Sequence, residues 1–411
     1  MRARELTADD LLPYQRLTRL AFGGGPVTEK EARPFSPGLI PLGISSADLP
    51  GGADGVIAAG AQIRRDRITL GGGTADCGGI GGVAVHPAHR AGGLFGELMT
   101  AVIARCATEG MAFSMLYPAN VAIYRALGYQ IVSQVQKVQV PLLDLQRLRP
   151  VPGTHLEAVT AQSFERVHAL YRELTAGENG MLTREGPLFP TGHPGGTWEA
   201  VLLVGEDGTD RGYLSFTRTG GEEGIGLEVH EVLGRTREDR LALLRSLGTW
   251  STVTEQVRIR VRAEDPLLDA LPGGRTRMDP QLQPWVMVRV IDTAAALSAR
   301  PAPAGLEGTL RLVVTDDTVP AGTARAAGEF VVRIADGRVA VDLEGAADGS
   351  DVGGVSGSVH LDVHAAALLL IGGRSIADAE RLGLGARADA PARALLDTLL
   401  SGPRPAVMDQ F

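Results

Sequence analysis

Cysteine is nearly absent from this chain. Among 411 residues only Cys77 and Cys106 occur, in no metal-ligand spacing, so neither a disulfide framework nor a cysteine zinc site is expected. Lysine is as scarce, with Lys30 and Lys137 set against 38 arginines, which reads as compositional bias rather than function. Positive charge is not in excess either: a net charge of −8 argues against a nucleic-acid partner and favours cationic ligands. No long apolar run occurs. The longest, Ala365 to Ile371, falls far short of the roughly 20 residues a membrane helix needs, so no membrane partner is expected. The start, MRARELTADD, holds no apolar signal core, and a cytoplasmic location is expected.

What is present is a globular composition, 44% hydrophobic with a mean hydropathy of +0.05, and length enough for two or three cores. The pattern divides into segments 1–150, 151–295 and 296–411. In the first, a helix near Asp9–Phe22 precedes strands around Gly55–Arg64, Arg67–Leu70 and Gly79–Val85, which reads as α/β. Pro150, Pro152 and Gly153 form a joint. The second repeats that order: a helix at Ser163–Thr175, strands Ala200–Gly205, Gly212–Arg218 and Gly226–Val232, then a helix at Arg237–Trp250. After the linker SARPAPAG, the third holds a hairpin at Glu329–Glu344 turning on Asp336-Gly337, a strand Val355–Val363 and three helices.

The chemistry lies in GGVAVHPAHRAGGLFGELM, Gly81 to Met99. Beyond Pro87 the apolar residues fall at 94, 95, 98, 99, 102, 103 and 106, one buried helix face. Arg90, Ala91, Gly92 and Gly93 therefore sit at a helix N-terminus, where unpaired N–H groups and the dipole attract an anion. The stretch lacks the Gly-Lys-Ser/Thr of a Walker A loop and the Gly-x-Gly-x-x-Gly of a dinucleotide fold. Some thirty residues on, FSMLYPANVAIYRALGYQIV places Tyr124 one helical turn after Asn120, with Gly128 at a C-cap position.

Arg90-x-x-Gly93 after V-x-V-x-P, followed by Asn120-x-x-x-Tyr124, resembles the GNAT N-acetyltransferases, with Phe95 standing where Gly or Ala is usual. The three-part order, with VAVHPAHRAGG and AIYRALGY, resembles the Eis family of bacterial acetyltransferases over essentially the whole chain. The resemblance implies tandem GNAT domains, the first active and the second degenerate, then a sterol carrier protein-like α/β domain. It implies acetyl-coenzyme A as cosubstrate, contacted by Val83, Ala84, Val85, Arg90, Ala91, Gly92, Gly93, Leu94, Phe95 and Asn120. Tyr124 would be the general acid and the terminal carboxylate of Phe411 the base. It further implies a homo-hexamer and a cationic small-molecule amine as acceptor, an aminoglycoside or a lysine side chain. Gly82 stands where a bulky aromatic is expected and Gln410 where an acid is expected, which points to a wider, less acidic pocket.

Other constellations carry less. His86 and His89 flank the loop as two ligands without a third, and His360, Asp362 and His364 share a strand face, so no metal is expected. Gly71-Gly72-Gly73 reads as a hairpin. Two alternatives remain: a GNAT enzyme acting on another small amine or peptide, and a non-catalytic acyl-coenzyme A or lipid-binding protein built around Ala365–Ile371.

Overall fold

The computed structural model describes residues 2–189, 192–220, 226–262, 264–280, 284–343 and 355–409. These form three sheets with helices against them, the mixed α/β class expected. The eight-stranded first sheet runs Arg4–Glu5, Leu39–Ser45, Ile57–Leu70, Gly73–Val85, Phe113–Leu116, Trp285–Val290, Gln130–Gln134, with Asn179–Leu182 added beside Ile57–Leu70. The seven-stranded second runs Arg277–Met278, Gln136–Pro141, Gln256–Val261, Gly226–Gly234, Asp210–Thr219, Trp198–Gly205, Thr154–Ala158. The third has five strands, centred on Gly308–Thr315 between Gly328–Ala335 and Val355–Asp362.

Sheet membership does not follow the expected break at 150. Gln134 is the last residue of its strand in the first sheet, and Gln136–Pro141 already belongs to the second. Trp285–Val290 then returns, inserting between Phe113–Leu116 and Gln130–Gln134. The two units have exchanged strands. The physical reason is that pairing is non-local: both runs alternate like any strand, and neither encodes its neighbour.

Helix Leu94–Thr108 buries Leu94, Leu98, Met99, Val102, Ile103 and Cys106 against Ile63, Ile80 and Met287, the face expected from spacing. Burial pushes the Cys106 thiol up to about 12, so it stays a protonated core residue. Hairpin Gly328–Ala335 and Arg338–Leu343 turns at Asp336 and Gly337, both in the left-handed region. The apolar run that motivated a lipid-binding reading is a core helix, Val363–Leu370. Its residues Ala365 to Leu370 are all buried, packed among Val132, Val286 and Val288 of the first sheet.

After helix Ala390–Leu399 the chain leaves the third unit and threads between the other two. Ala406, Val407 and Met408 are buried. Asn179 Nδ2 donates to Pro403 O at 2.7 Å, Ser133 Oγ donates to Pro405 O, and Ala406 N donates to Asn179 O at 2.8 Å.

Candidate active site

Strand Gly73–Val85 pairs in parallel with Phe113–Leu116 only from Cys77 to Ile80. Beyond that point the two part, while pairing with Ile57–Leu70 continues to Val85. A bulge sits at the fork: Gly81 faces Gln62 and Ala84 faces Gly60, so Gly82 and Val83 share the space opposite Ala61. His86 N donates to Ala58 O at 2.8 Å, toward the neighbouring strand. Successive amides alternate, so the Val85 N–H points the other way, into the gap. Ala84 turns its side chain into a cluster with Leu6, Tyr14, Leu17 and Ile57.

Gly82 does not open a wider pocket, and this corrects the expectation. Its φ is +61°, its carbonyl accepts from Tyr14 Oη at 3.1 Å, and a Cβ there would lie 2.4 Å from that oxygen. Tyr14 occupies the space an aromatic would fill, and the bulge requires the glycine.

The loop that follows is built for an anion. Ala91 has φ +65° and Gly93, the residue before helix Leu94–Thr108, φ +79°; no side chain caps the helix. Among the described residues no protein acceptor meets the N–H groups of Ala91, Gly92 or Gly93, and the first helical amides have no intrahelical partner. A Cβ at Gly93 or Gly96 would meet nothing within 4 Å, and one at Gly92 only His89 O at 3.6 Å, so the loop faces open space. Arg90 is exposed beside it, its Nε 3.4 Å from Val85 O. This cradle fits a pyrophosphate. Leu94 is a buried core side chain, so only its amide is on offer.

Tyr124 lies on helix Val121–Arg125 and is 6% exposed. Its ring meets Phe95 edge-on at 5.4 Å and Tyr129 at 6.0 Å, in a cluster that Val83 and Val85 join. Phe95 thus has a place beside the phenol. Burial pushes the Tyr124 hydroxyl up to about 12, so it holds its proton at neutral pH, and it has no hydrogen-bond partner among the described residues. The helix end is clamped from afar. Gly128 has φ +80°, and a Cβ there would collide with the guanidinium of Arg289, which reaches from Trp285–Val290 to Leu127 O and Asp316. Asn120 is exposed and caps the same helix, its Oδ1 accepting from Ala122 N at 2.9 Å; its visible role is to set that helix.

A cavity of about 880 Å³ opens between the first sheet, the second sheet and the docked tail. Tyr117, the residue after strand Phe113–Leu116 at the fork, is on its wall and donates to Asp409 O at 2.6 Å. Arg184, which no motif singled out, binds both Glu231 and Asp409 and stacks its guanidinium 3.9 Å from the Tyr171 ring. Burial pushes the Asp409 carboxyl up while Arg184 opposes it; at Glu231 burial is outweighed by Arg184, which holds it below its usual range. Phe411 and Gln410 lie outside the described residues, which hold the chain as far as Asp409.

The histidines flanking the loop are engaged locally: His89 Nε2 is 2.8 Å from Ser46 Oγ, and His86 Nδ1 accepts from Ala88 N. Asp362 caps helix Val363–Leu370 through Ala365 N.

An acetyltransferase (GNAT) domain model matches residues 2–132, a second acetyltransferase (GNAT) domain model residues 180–290, and a sterol carrier protein domain model residues 293–408. The chain is similar to N-acetyltransferase Eis of Mycobacterium tuberculosis, 25% identical over 317 residues, 72% of this chain and 73% of that one. It is 26% identical to an uncharacterized N-acetyltransferase of Streptomyces coelicolor over 59% of each chain. Among solved structures, a GCN5-related N-acetyltransferase from Kribbella flavida aligns with a TM-score of 0.76 at 23% identity, over 100% of this chain and 98% of that one. Eis1 from Mycobacterium abscessus aligns at 0.72 and 20%, over 100% and 99%.

Proposed function

This chain is an Eis-like GNAT N-acetyltransferase, and from that premise we propose that its first GNAT unit transfers an acetyl group from acetyl-coenzyme A to an amine held in the cavity between the sheets. The observation that carries the reading is the fork at Ile80 and Leu116, which joins a cradle of free amides on one side to the cavity wall at Tyr117 on the other. Ala91, Gly92, Gly93 and the first amides of helix Leu94–Thr108, with Arg90 beside them, would hold the pyrophosphate. The Val83 and Val85 amides would hold the pantetheine arm and the thioester oxygen.

Acetyl-coenzyme A supplies an activated acyl carbon. A neutral amine adds to that carbon, the carbon–sulfur bond breaks, the amine loses one proton and the departing sulfur gains one. Tyr124 is suited to donate the latter, because burial keeps its phenol protonated. Negative charge on the acyl oxygen is offset by an amide of the fork. The base assigned by resemblance is the Phe411 carboxylate; its support is that Arg184 and Tyr117 grip the chain two residues earlier. The second GNAT unit is read as non-catalytic, since its matching helix start is closed by its own side chains. A polycationic aminoglycoside is the second acceptor reading, favoured by Glu228, Glu231 and Asp409 on the cavity wall. The cytoplasmic hexamer implied by resemblance is part of the same proposal.

The test is free-thiol release from acetyl-coenzyme A with aminoglycosides, lysine peptides and small amines. Tyr124→Phe is expected to lower kcat by about 100-fold or more, with acetyl-coenzyme A affinity retained. Unchanged turnover in that variant would remove Tyr124 from the mechanism.

A further inference from the structure

Strand Gln256–Val261 reads QVRIRV, and with Arg262 it sets three arginines, Arg258, Arg260 and Arg262, on one face two residues apart. The outer two are paired with carboxylates: Arg258 with Asp279 at 3.2 Å, Arg262 with Glu178 and with Asp265. The middle one is not. Arg260 lines the cavity, its Nε is sealed from solvent without a hydrogen-bond partner, and no carboxylate among the described residues lies within ion-pair distance of it. Glu231 and Asp409 feel its charge, but both are already bound by Arg184, while Glu228 is bound by Lys137. The cavity therefore holds three cations and three carboxylates with one guanidinium left over. Its other walls are aromatic: Tyr117, Phe164 and Trp198, the last two edge to face at 5.6 Å.

A guanidinium Nε sealed from water without a partner costs free energy, and a carboxylate matches a guanidinium fork with two parallel hydrogen bonds. A polyamine would meet carboxylates that are already paired with Arg184 or Lys137, whereas a carboxylate would meet the one wall guanidinium with no carboxylate within ion-pair distance among the described residues. We propose that Arg260 anchors a carboxylate of the acceptor, so that the acceptor is an amine that also carries a carboxylate on an aromatic or apolar body. This deepens the acetyl-transfer reading and rests on it only for the fate of the amine. The anchor itself is a binding site and can be examined without turnover.

The experiment compares molecules that differ only in the carboxylate. Thiol release with phenylalanine and phenethylamine, and with tryptophan and tryptamine, gives a ratio of kcat/KM within each pair. Calorimetric binding of N-acetylphenylalanine and N-acetylphenethylamine to the full chain gives the same ratio with no reaction. The carboxylate-bearing member is expected to win by about tenfold or more in both measurements. Arg260→Gln brings the ratios to about one, and Arg260→Lys restores part of the preference, which separates charge from folding. Equal ratios in the natural chain, or a preference that survives Arg260→Gln, would overturn the proposal. Arg260-dependent binding of N-acetylphenylalanine without thiol release from any amine would keep the anchor and sink acetyl transfer to such amines. Turnover of polyamines alone, with no binding of N-acetylphenylalanine, would do the reverse.

Discussion

Strands Gly73–Val85 and Gly226–Gly234 occupy matching places in their sheets, and each leads into a helix. Both fork from a parallel neighbour after three or four pairs: the first after Ile80, the second after Val229. Both carry a bulge at the fork, since Ser215 faces Glu231 while Phe216 faces Val229, leaving His230 over. They differ at the helix start. Before Leu94–Thr108 the backbone turns through left-handed Ala91 and Gly93 and leaves its amides unmet. Before Arg237–Leu247, Thr236 Oγ1 accepts from Asp239 N at 3.1 Å, and the Asp239 carboxylate accepts from Thr236 N and Oγ1. One helix awaits an anion and the other carries its own. The second fork is not idle, because His230, Glu231 and Arg260 project from it into the cavity. The shared scaffold thus differs at one turn, eight residues long between Val85 and Leu94 and two residues long between Gly234 and Arg237.

That contrast can be broken first at the open turn. Gly92→Asp would bring to the first helix the carboxylate the second already has, in a backbone conformation that tolerates a side chain. The KM for acetyl-coenzyme A is expected to rise on the order of 100-fold, as charge-assisted contacts are lost and like charges meet, with Gly92→Ala much milder; steady-state kinetics reads both. The closed turn responds in stability instead. Asp239→Ala removes a cap and leaves Arg211 without its 2.8 Å partner. About 2 kcal/mol of unfolding free energy should be lost in a urea titration, with the acetyl-coenzyme A KM unmoved.

Acid should separate the units as well. Burial raises the Asp265 carboxyl, but Arg240 on helix Arg237–Leu247 outweighs it and holds the group at about 2. A folded value below the unfolded one near 3.9 adds about 2 kcal/mol. That contribution is complete above about pH 4 and lost as pH falls toward about 2. Helix Leu94–Thr108 is seated by apolar burial, so hydrogen exchange at low pH should open the second sheet's helix before the first's. The smallest change is Thr236→Ala, expected to cost about 1 kcal/mol and nothing in catalysis; a matching loss of acetyl-coenzyme A affinity would refute the division of labour.

What could be read beforehand follows from distance along the chain. The strand, turn and helix from Gly79 to Cys106, the cap at Asn120 and the hairpin at Asp336-Gly337 are local, and periodicity with turn chemistry specifies them. Tyr14 against Gly82 spans 68 residues, and Arg289 against Asp316 joins two units; neither pairing leaves a trace in spacing. Arg289 in WVMVRV is fully buried, and nothing in that run of sequence marks it as such. The cavity shows the limit most clearly. Arg184, Glu231, Arg260 and Asp409 are ordinary charged residues in sequence and become a site only when two sheets and a tail meet.

The exchange of strands between the first two sheets has a consequence for synthesis. Phe113–Leu116 and Gln130–Gln134 are held apart by Trp285–Val290, so a nascent chain can emit the whole Arg90–Gly93 loop and the Tyr124 helix while the gap in their sheet stays open. That sheet closes only once residue 290 has left the ribosome, by which time the second sheet has all its strands. The first unit, begun before the second, is closed after it. Its gap is a vacant edge between two strands while residues 135 to 290 are being made.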